Sequence, residues 1–224
     1  MSFNMEICKI QLDNGFEVHY IQGSDGGGYA HLPDFKLAIS LTGKDHYVSG
    51  VEWCAGFGVL GFDFLNRGVC DRMSFIECHS PSVEWINNTI NHNKIAEKTS
   101  VYLANKISMI PDDVKWDLLL ANPPHSFDEG SKKYLEANIP HPQLPDAIRL
   151  TCDVGLEIHR EFFANIRKHL LPGADLFISE VGEFDKIEEF AVDAGLEVIA
   201  RHPADKLSIN SDTSSIVFHF KEPL

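Results

Sequence analysis

No run of about 18 apolar residues occurs in the 224-residue chain, so the sequence predicts no membrane-spanning helix. No basic-then-apolar leader opens it, which predicts a cytoplasmic protein. The cysteines (Cys8, Cys54, Cys70, Cys78 and Cys152) are odd in number and lack a CxxC pair. That pattern argues against a disulfide framework or a thiolate zinc site and suits reduced thiols. The 11 histidines show no HExxH or similar ligand spacing, so no metal is expected. Basic residues are few: 19 Lys and Arg against 33 Asp and Glu give a formal charge of −14. A protein that grips a phosphate backbone usually presents a basic face, so this balance lowers the expectation of a nucleic-acid partner. Only short clusters such as Lys132-Lys133 and Arg167-Lys168-His169 run the other way. Repeats and low-complexity tracts are absent too.

What remains is an alternation of strand and helix patterns. Apolar and polar residues alternate on both sides of Asp13-Asn14-Gly15, and Asn-Gly favours the positive φ angles of a type I′ turn, so the chain opens on a β-hairpin. A glycine-rich connector over 23–34 follows. Strands are expected near 50–54, 73–77, 99–104, 116–121, 174–180, 196–201 and 214–220. Helices are expected near 59–67, 81–92, 155–170 and 184–194, with a short one after 105 and Pro172-Gly173 as the stop of the third. Strands separated by helices imply βαβ crossovers and a mostly parallel seven-stranded sheet, with the last strand antiparallel at its end. The division is hairpin and connector over 1–48, then one α/β unit over 49–224.

Two motifs lie at strand ends. "VEWCAGFGVLG" reads as a strand, a Gly56-x-Gly58-x-x-Gly61 turn and a helix, an arrangement that brings free backbone N–H groups to a ligand. Nineteen residues after Gly58, Glu77 ends the next strand, where a carboxylate can hold both hydroxyls of a ribose. Taken alone, this fingerprint suits a nicotinamide or flavin enzyme equally well. Glu52, inside the strand before the loop, tips the balance. A buried acid needs a partner, and beside a pyrophosphate it would repel its ligand. A cationic methionine group suits it better.

The second motif, Asn122-Pro123-Pro124-His125, stops the apolar run "DLLLA". Together with "VEWCAGFGVLG" and Glu77 it resembles the class I S-adenosylmethionine-dependent methyltransferases of the Asn-Pro-Pro-aromatic type. The resemblance implies a Rossmann-like fold and S-adenosylmethionine as cofactor. It places Glu52, Cys54, Gly56, Phe57 and Gly58 on the methionine part, Glu77 with Cys78 on the ribose, and Asn105 near the adenine. An amide or aryl amine is a poor nucleophile because its lone pair is delocalised. Acceptors on its hydrogens, the Asn122 side-chain oxygen and the Pro123 carbonyl, would favour tetrahedral nitrogen in the transition state. The prolines fix φ and so hold those acceptors in place. His125 departs from the family's usual Tyr, Phe or Trp. It is flat but smaller, and it titrates near neutrality. It is expected to stack, to donate a hydrogen bond, or to assist deprotonation.

Downstream, Asp153-Val154-Gly155-Leu156 and Leu171-Pro172-Gly173 resemble the release-factor glutamine methyltransferases, which implies a protein amide as methyl acceptor. The expected order of acceptors is a glutamine or asparagine amide in a protein, then an exocyclic base amine in RNA or DNA, then a small molecule. The loop 126–150, with Lys132, Lys133 and Arg149, is long enough to serve as a substrate lid. Tyr29 and His31 are candidates to close the other side of the pocket.

Overall fold

Apolar residues on both faces of successive strands force helices onto both sides of a sheet, and the computed structural model has that layering. It describes residues 7–21, 28–125, 152–204 and 215–224. The hairpin strands β1 (Ile7–Gln11) and β2 (Glu17–Ile21) pair antiparallel. Asn14 and Gly15 at their turn both take positive φ, as the Asn-Gly signal requires. Then follow α1 (Gly28–Ser40), β3 (Tyr47–Trp53), α2 (Val59–Asn66), β4 (Cys70–Glu77), α3 (Ser80–Asn93), β5 (Thr99–Leu103) and β6 (Trp116–Ala121). Beyond the next described residue, Cys152, come α4 (Glu157–Ile166), β7 (Leu170–Val181), α5 (Phe184–Asp193), β8 (Glu197–Ala204) and β9 (Ser215–Lys221). No helix among the described residues is long and apolar enough to cross a membrane.

The seven-stranded sheet has the order β5-β4-β3-β6-β7-β9-β8. Its pairs are parallel from β5 to β7, and β9 runs antiparallel to both β7 and β8. The last strand is therefore antiparallel, as expected, but it is inserted between β7 and β8 instead of lying at the sheet's end. There its Phe218 and Phe220 are fully buried.

Two further expectations are corrected. The connector is in part a helix: α1 buries Leu32, Phe35, Ala38 and Ile39 against α2 and the strands β7 to β9, with Pro33 inside it. Pro172-Gly173 does not stop a helix. α4 ends at Ile166, and the pair lies within β7, where the register against β6 shifts between Trp116 and Leu118 and Gly173 takes φ +75°. The extra residues make an irregularity that proline and glycine tolerate. Residues 126–150, the expected lid, lie outside the described residues.

Alternate side chains of each strand feed two cores. Leu118, Leu120 and Phe177 join the α1, α2 and hairpin side, while Leu119, Ala121, Leu176 and Ile178 join the α4 and α5 side. The hairpin docks on α3: the His19 N–H donates to Thr89 Oγ1 at 2.9 Å, and the Asn93 side chain bonds both backbone groups of Glu17. α2 approaches β4 so closely that a Cβ on Gly61 would stand 2.8 Å from Phe75 Cε1 and 2.9 Å from Glu52 Oε2. Gly61→Ala is thus expected to lower stability by about 1–3 kcal/mol through overpacking, read from the midpoint of chemical denaturation.

Candidate active site

Two buried acids hold the glycine loop by its backbone. Glu77, at the end of β4, accepts the Gly56 N–H on one oxygen at 2.7 Å, and the Cys78 and His79 N–H groups on the other at 2.8 and 2.7 Å. It thereby ties the loop after β3 to the turn that starts α3. Three bonds leave about one of a carboxylate's four acceptor sites for a ligand hydroxyl. Glu52, at 3% exposure, accepts the Gly61 N–H on Oε2 at 2.7 Å. Burial pushes its pKa up to about 8, against the lowering effect of backbone hydrogen bonds from Gly61 and Leu60, and the nearby Glu77 charge adds to the rise. The absent Cβ is what lets that carboxylate approach Gly61.

The remaining loop residues fall into place around this pair. Cys54 and Gly56 both take positive φ, and a Cβ on Gly56 would meet open space. Burial holds the Cys54 thiol well above its ordinary value, so it stays a neutral thiol. Phe57 turns inward and stacks on Tyr20 with centroids 4.9 Å apart, so only its backbone is left to the loop. The backbone of Cys78 serves Glu77. Asn105 is exposed, two residues beyond Leu103, which pairs with Glu77. It does not cap the short turn after it. Glu161 of α4 does so, accepting from the backbone of Ile107 and from both the backbone and the hydroxyl of Ser108.

The sheet register sets the second motif beside the first. Trp53 pairs with Ala121, so the glycine loop and Asn122-Pro123-Pro124 leave neighbouring strands at the same level. Pro123 is buried, whereas Asn122 and Pro124 are half-buried. His125 makes a parallel bridge with Cys152, and its carbonyl accepts the Asp153 N–H at 2.9 Å.

Behind His125 lies a chain of buried charges. His125 Nδ1 faces Glu180 Oε2 at 3.5 Å, and the other Glu180 oxygen is 2.5 Å from His159 Nε2. His159 Nδ1 is 2.7 Å from Asp153 Oδ2. Asp153 also accepts the Ile158 and His159 N–H groups at the start of α4, where its negative charge suits the helix terminus. Burial opposes a charge on His159, but the carboxylates of Glu180 and Asp153 outweigh it and push its pKa up to about 9. Burial alone would raise Glu180; the His159 charge and the contact with His125 hold it below the usual carboxylate range. Trp53 packs edge-on against the His159 ring.

His31 belongs to this assembly but not to its rim. It is 1% exposed, with Nδ1 3.1 Å from Ser179 Oγ. Burial, and then the proximity of His125, push its pKa down to about 4, so it is neutral at physiological pH. Tyr29 is exposed at 47%. Glu180 and His159 are not among the residues singled out from the motifs, and Asp153 enters there only as part of Asp153-Val154-Gly155-Leu156. The signal existed: Glu180 is an acid closing the apolar strand "LFIS", as Glu77 closes "MSFI".

The fold recurs in solved structures. The T. thermophilus 16S rRNA N2 G1207 methyltransferase, in complex with AdoMet and guanosine, matches with TM-score 0.65 and 16% identity over 98% of this chain and 50% of its own. The M. jannaschii tRNA m1G37 methyltransferase matches with TM-score 0.65 and 15% identity over 99% and 58%. The [4+2]-cyclase SpnF matches with TM-score 0.56 and 12% identity over 84% and 80%. The chain thus spans 50% and 58% of the two RNA enzymes' lengths. No protein-family model matches the chain, and no curated protein does. At these identities the likeness is one of architecture. The chain has the Rossmann-like fold of the class I methyltransferases, a fold also carried by a cyclase.

Proposed function

We propose that this chain is an S-adenosylmethionine-dependent methyltransferase acting on a planar –NH2 group, with an exocyclic base amine in RNA as the first candidate. The observation that carries this reading is the register that sets Asn122-Pro123-Pro124 beside the acid-held glycine loop. The residues present fit the cofactor. Glu77 retains an acceptor for a ribose hydroxyl, Gly56 leaves open space, and Glu52 is a buried acid that a nearby cation would ionise. Bound there, S-adenosylmethionine supplies an electrophilic methyl on a sulfonium.

The chain's own residues prepare the acceptor. The Asn122 side-chain oxygen and the Pro123 carbonyl accept the two N–H groups of the substrate, most strongly once positive charge develops on nitrogen. The prolines keep the pair from reorganising. With Nδ1 turned to Glu180, His125 offers Nε2 to the proton that the methylated nitrogen sheds. His159, charged between Asp153 and Glu180, leaves that trio with one net negative charge behind His125.

RNA moves ahead of the protein amide for two reasons. The downstream resemblance that favoured the amide rests on residues occupied by the fold: Asp153 caps α4 and holds His159, and Pro172-Gly173 makes the irregularity in β7. The neighbours named above include an enzyme that acts on the exocyclic N2 of guanine in rRNA. The charge of −14 keeps the amide as the second reading.

Transfer of labelled methyl from S-adenosylmethionine into cell extract, split into RNA, protein and small-molecule fractions, tests the proposal. Label is expected in RNA, and Asn122→Ala should cut it on the order of 100- to 1,000-fold while cofactor affinity stays within about a few-fold. A variant with near-normal rate would sink the Asn-Pro-Pro mechanism, and label confined to protein amides would restore the second reading. His125→Phe should lower the transfer rate while cofactor affinity stays within about a few-fold.

The buried network also has a stability signature. The His159 pKa of about 9 lies above the ordinary 6.5, so the folded state binds the extra proton. Its contribution is complete below about 6.5 and is lost as pH rises through about 9. Denaturation midpoints of wild type should fall over that window more steeply than those of His159→Gln.

A further inference from the structure

Away from the strand ends, the docking of the hairpin on α3 brings together three side chains that share no motif. Glu17 and His19 alternate on β2 and so project to one face, while His92 lies in the last turn of α3. Glu17 Oε2 stands 3.5 Å from His19 Nε2 and 3.3 Å from His92 Nε2, and the three ligand atoms all lie within 4.8 Å of one another. In a tetrahedral zinc site with bonds of about 2.0–2.1 Å, neighbouring ligand atoms stand about 3.3–3.4 Å apart. The two edges that share the carboxylate oxygen, 3.5 and 3.3 Å, are already close to that length.

Two further observations point to a ligand. His19 Nε2 is buried and, apart from the long 3.5 Å approach of Glu17 Oε2, has no hydrogen-bond partner among the described residues, a condition that is costly unless something satisfies the nitrogen. The backbones that carry the ligands are clamped: Thr89 accepts the His19 N–H, and Asn93 bonds the N–H and the carbonyl of Glu17. Lys9 Nζ now sits 2.7 Å from Glu17 Oε2, supplying the positive charge this corner calls for. Its side chain is 52% exposed and is free to swing into water.

We propose that Glu17, His19 and His92 form a divalent-metal site that clips the hairpin to α3. Two imidazoles and one carboxylate suit a borderline cation of the zinc class, with water completing the shell. The sequence could not show it, since residues 17 and 19 meet residue 92 only through the docking. The site does not depend on the methyl-transfer reading.

Titration of the chelator-treated full chain with Zn²⁺, and with Co²⁺ for its visible absorption, tests this. One equivalent should bind, the Co²⁺ spectrum should be that of a four- or five-coordinate site, and excess Zn²⁺ should raise Tm by a few degrees. His92→Ala removes a side chain that is 46% exposed, so the fold should survive, as metal-free Tm and circular dichroism will check. In that variant, binding should weaken at least tenfold and the Tm rise should disappear. Lys9→Met should bind several-fold more tightly, its competitor gone. The proposal is overturned by the absence of a saturable one-to-one site in wild type, or by His92→Ala binding as wild type does.

Discussion

A carboxylate taken almost wholly out of water needs donors on every side, and Glu77 finds three backbone N–H groups within 2.8 Å. Those donors come from two different loops, so a single side chain fixes the glycine turn after β3 relative to the start of α3. Glu52 does the same one strand away, through Gly61 and at the cost of a glycine where α2 would otherwise favour a side chain. Among the described residues, no lysine or arginine pairs with either acid. The candidate cofactor end is therefore built from acids whose donors are backbone N–H groups, and Glu52, with its pKa pushed up to about 8 by burial, would be ionised by a cationic ligand.

The His125 side of the candidate site follows a different logic. Asp153, His159 and Glu180 alternate in charge in an interior that is nearly dry, next to His125. Buried ion pairs of this kind rarely add stability over apolar packing, and their position behind His125 favours a functional reason. His31, neutral and bonded to Ser179, lines the same region without adding charge. The likeness to SpnF shows that this fold does not fix the reaction. Asn122 and His125, rather than the sheet, carry the argument for N-methylation.

Sheet, crossovers and hairpin were legible because period and turn chemistry agree: each expected strand forms within a few residues of its predicted place. Helix α1 was hidden behind three consecutive glycines and Pro33, although His31, Leu32, Phe35, Ala38 and Ile39 have helical spacing. The insertion of β9 between β7 and β8 is a matter of long-range pairing, which local pattern cannot rank. Asn122 to His125 and Glu77 were readable from position at strand ends. The partners of His125 were not, because Asp153, His159 and Glu180 converge only when α4 packs on the sheet. Asp153-Val154-Gly155-Leu156 misled for a related reason: its acid matches a motif, yet its bonds serve the helix start.

The account stands or falls on the strand-end acids as a cofactor site. Calorimetric titration of wild type and Glu77→Ala with S-adenosylmethionine, and of wild type with NAD, addresses this directly. One S-adenosylmethionine per chain should bind to wild type, NAD should give no binding, and Glu77→Ala should lose about 1–3 kcal/mol of affinity. Preference for NAD, or S-adenosylmethionine binding indifferent to Glu77, would contradict it.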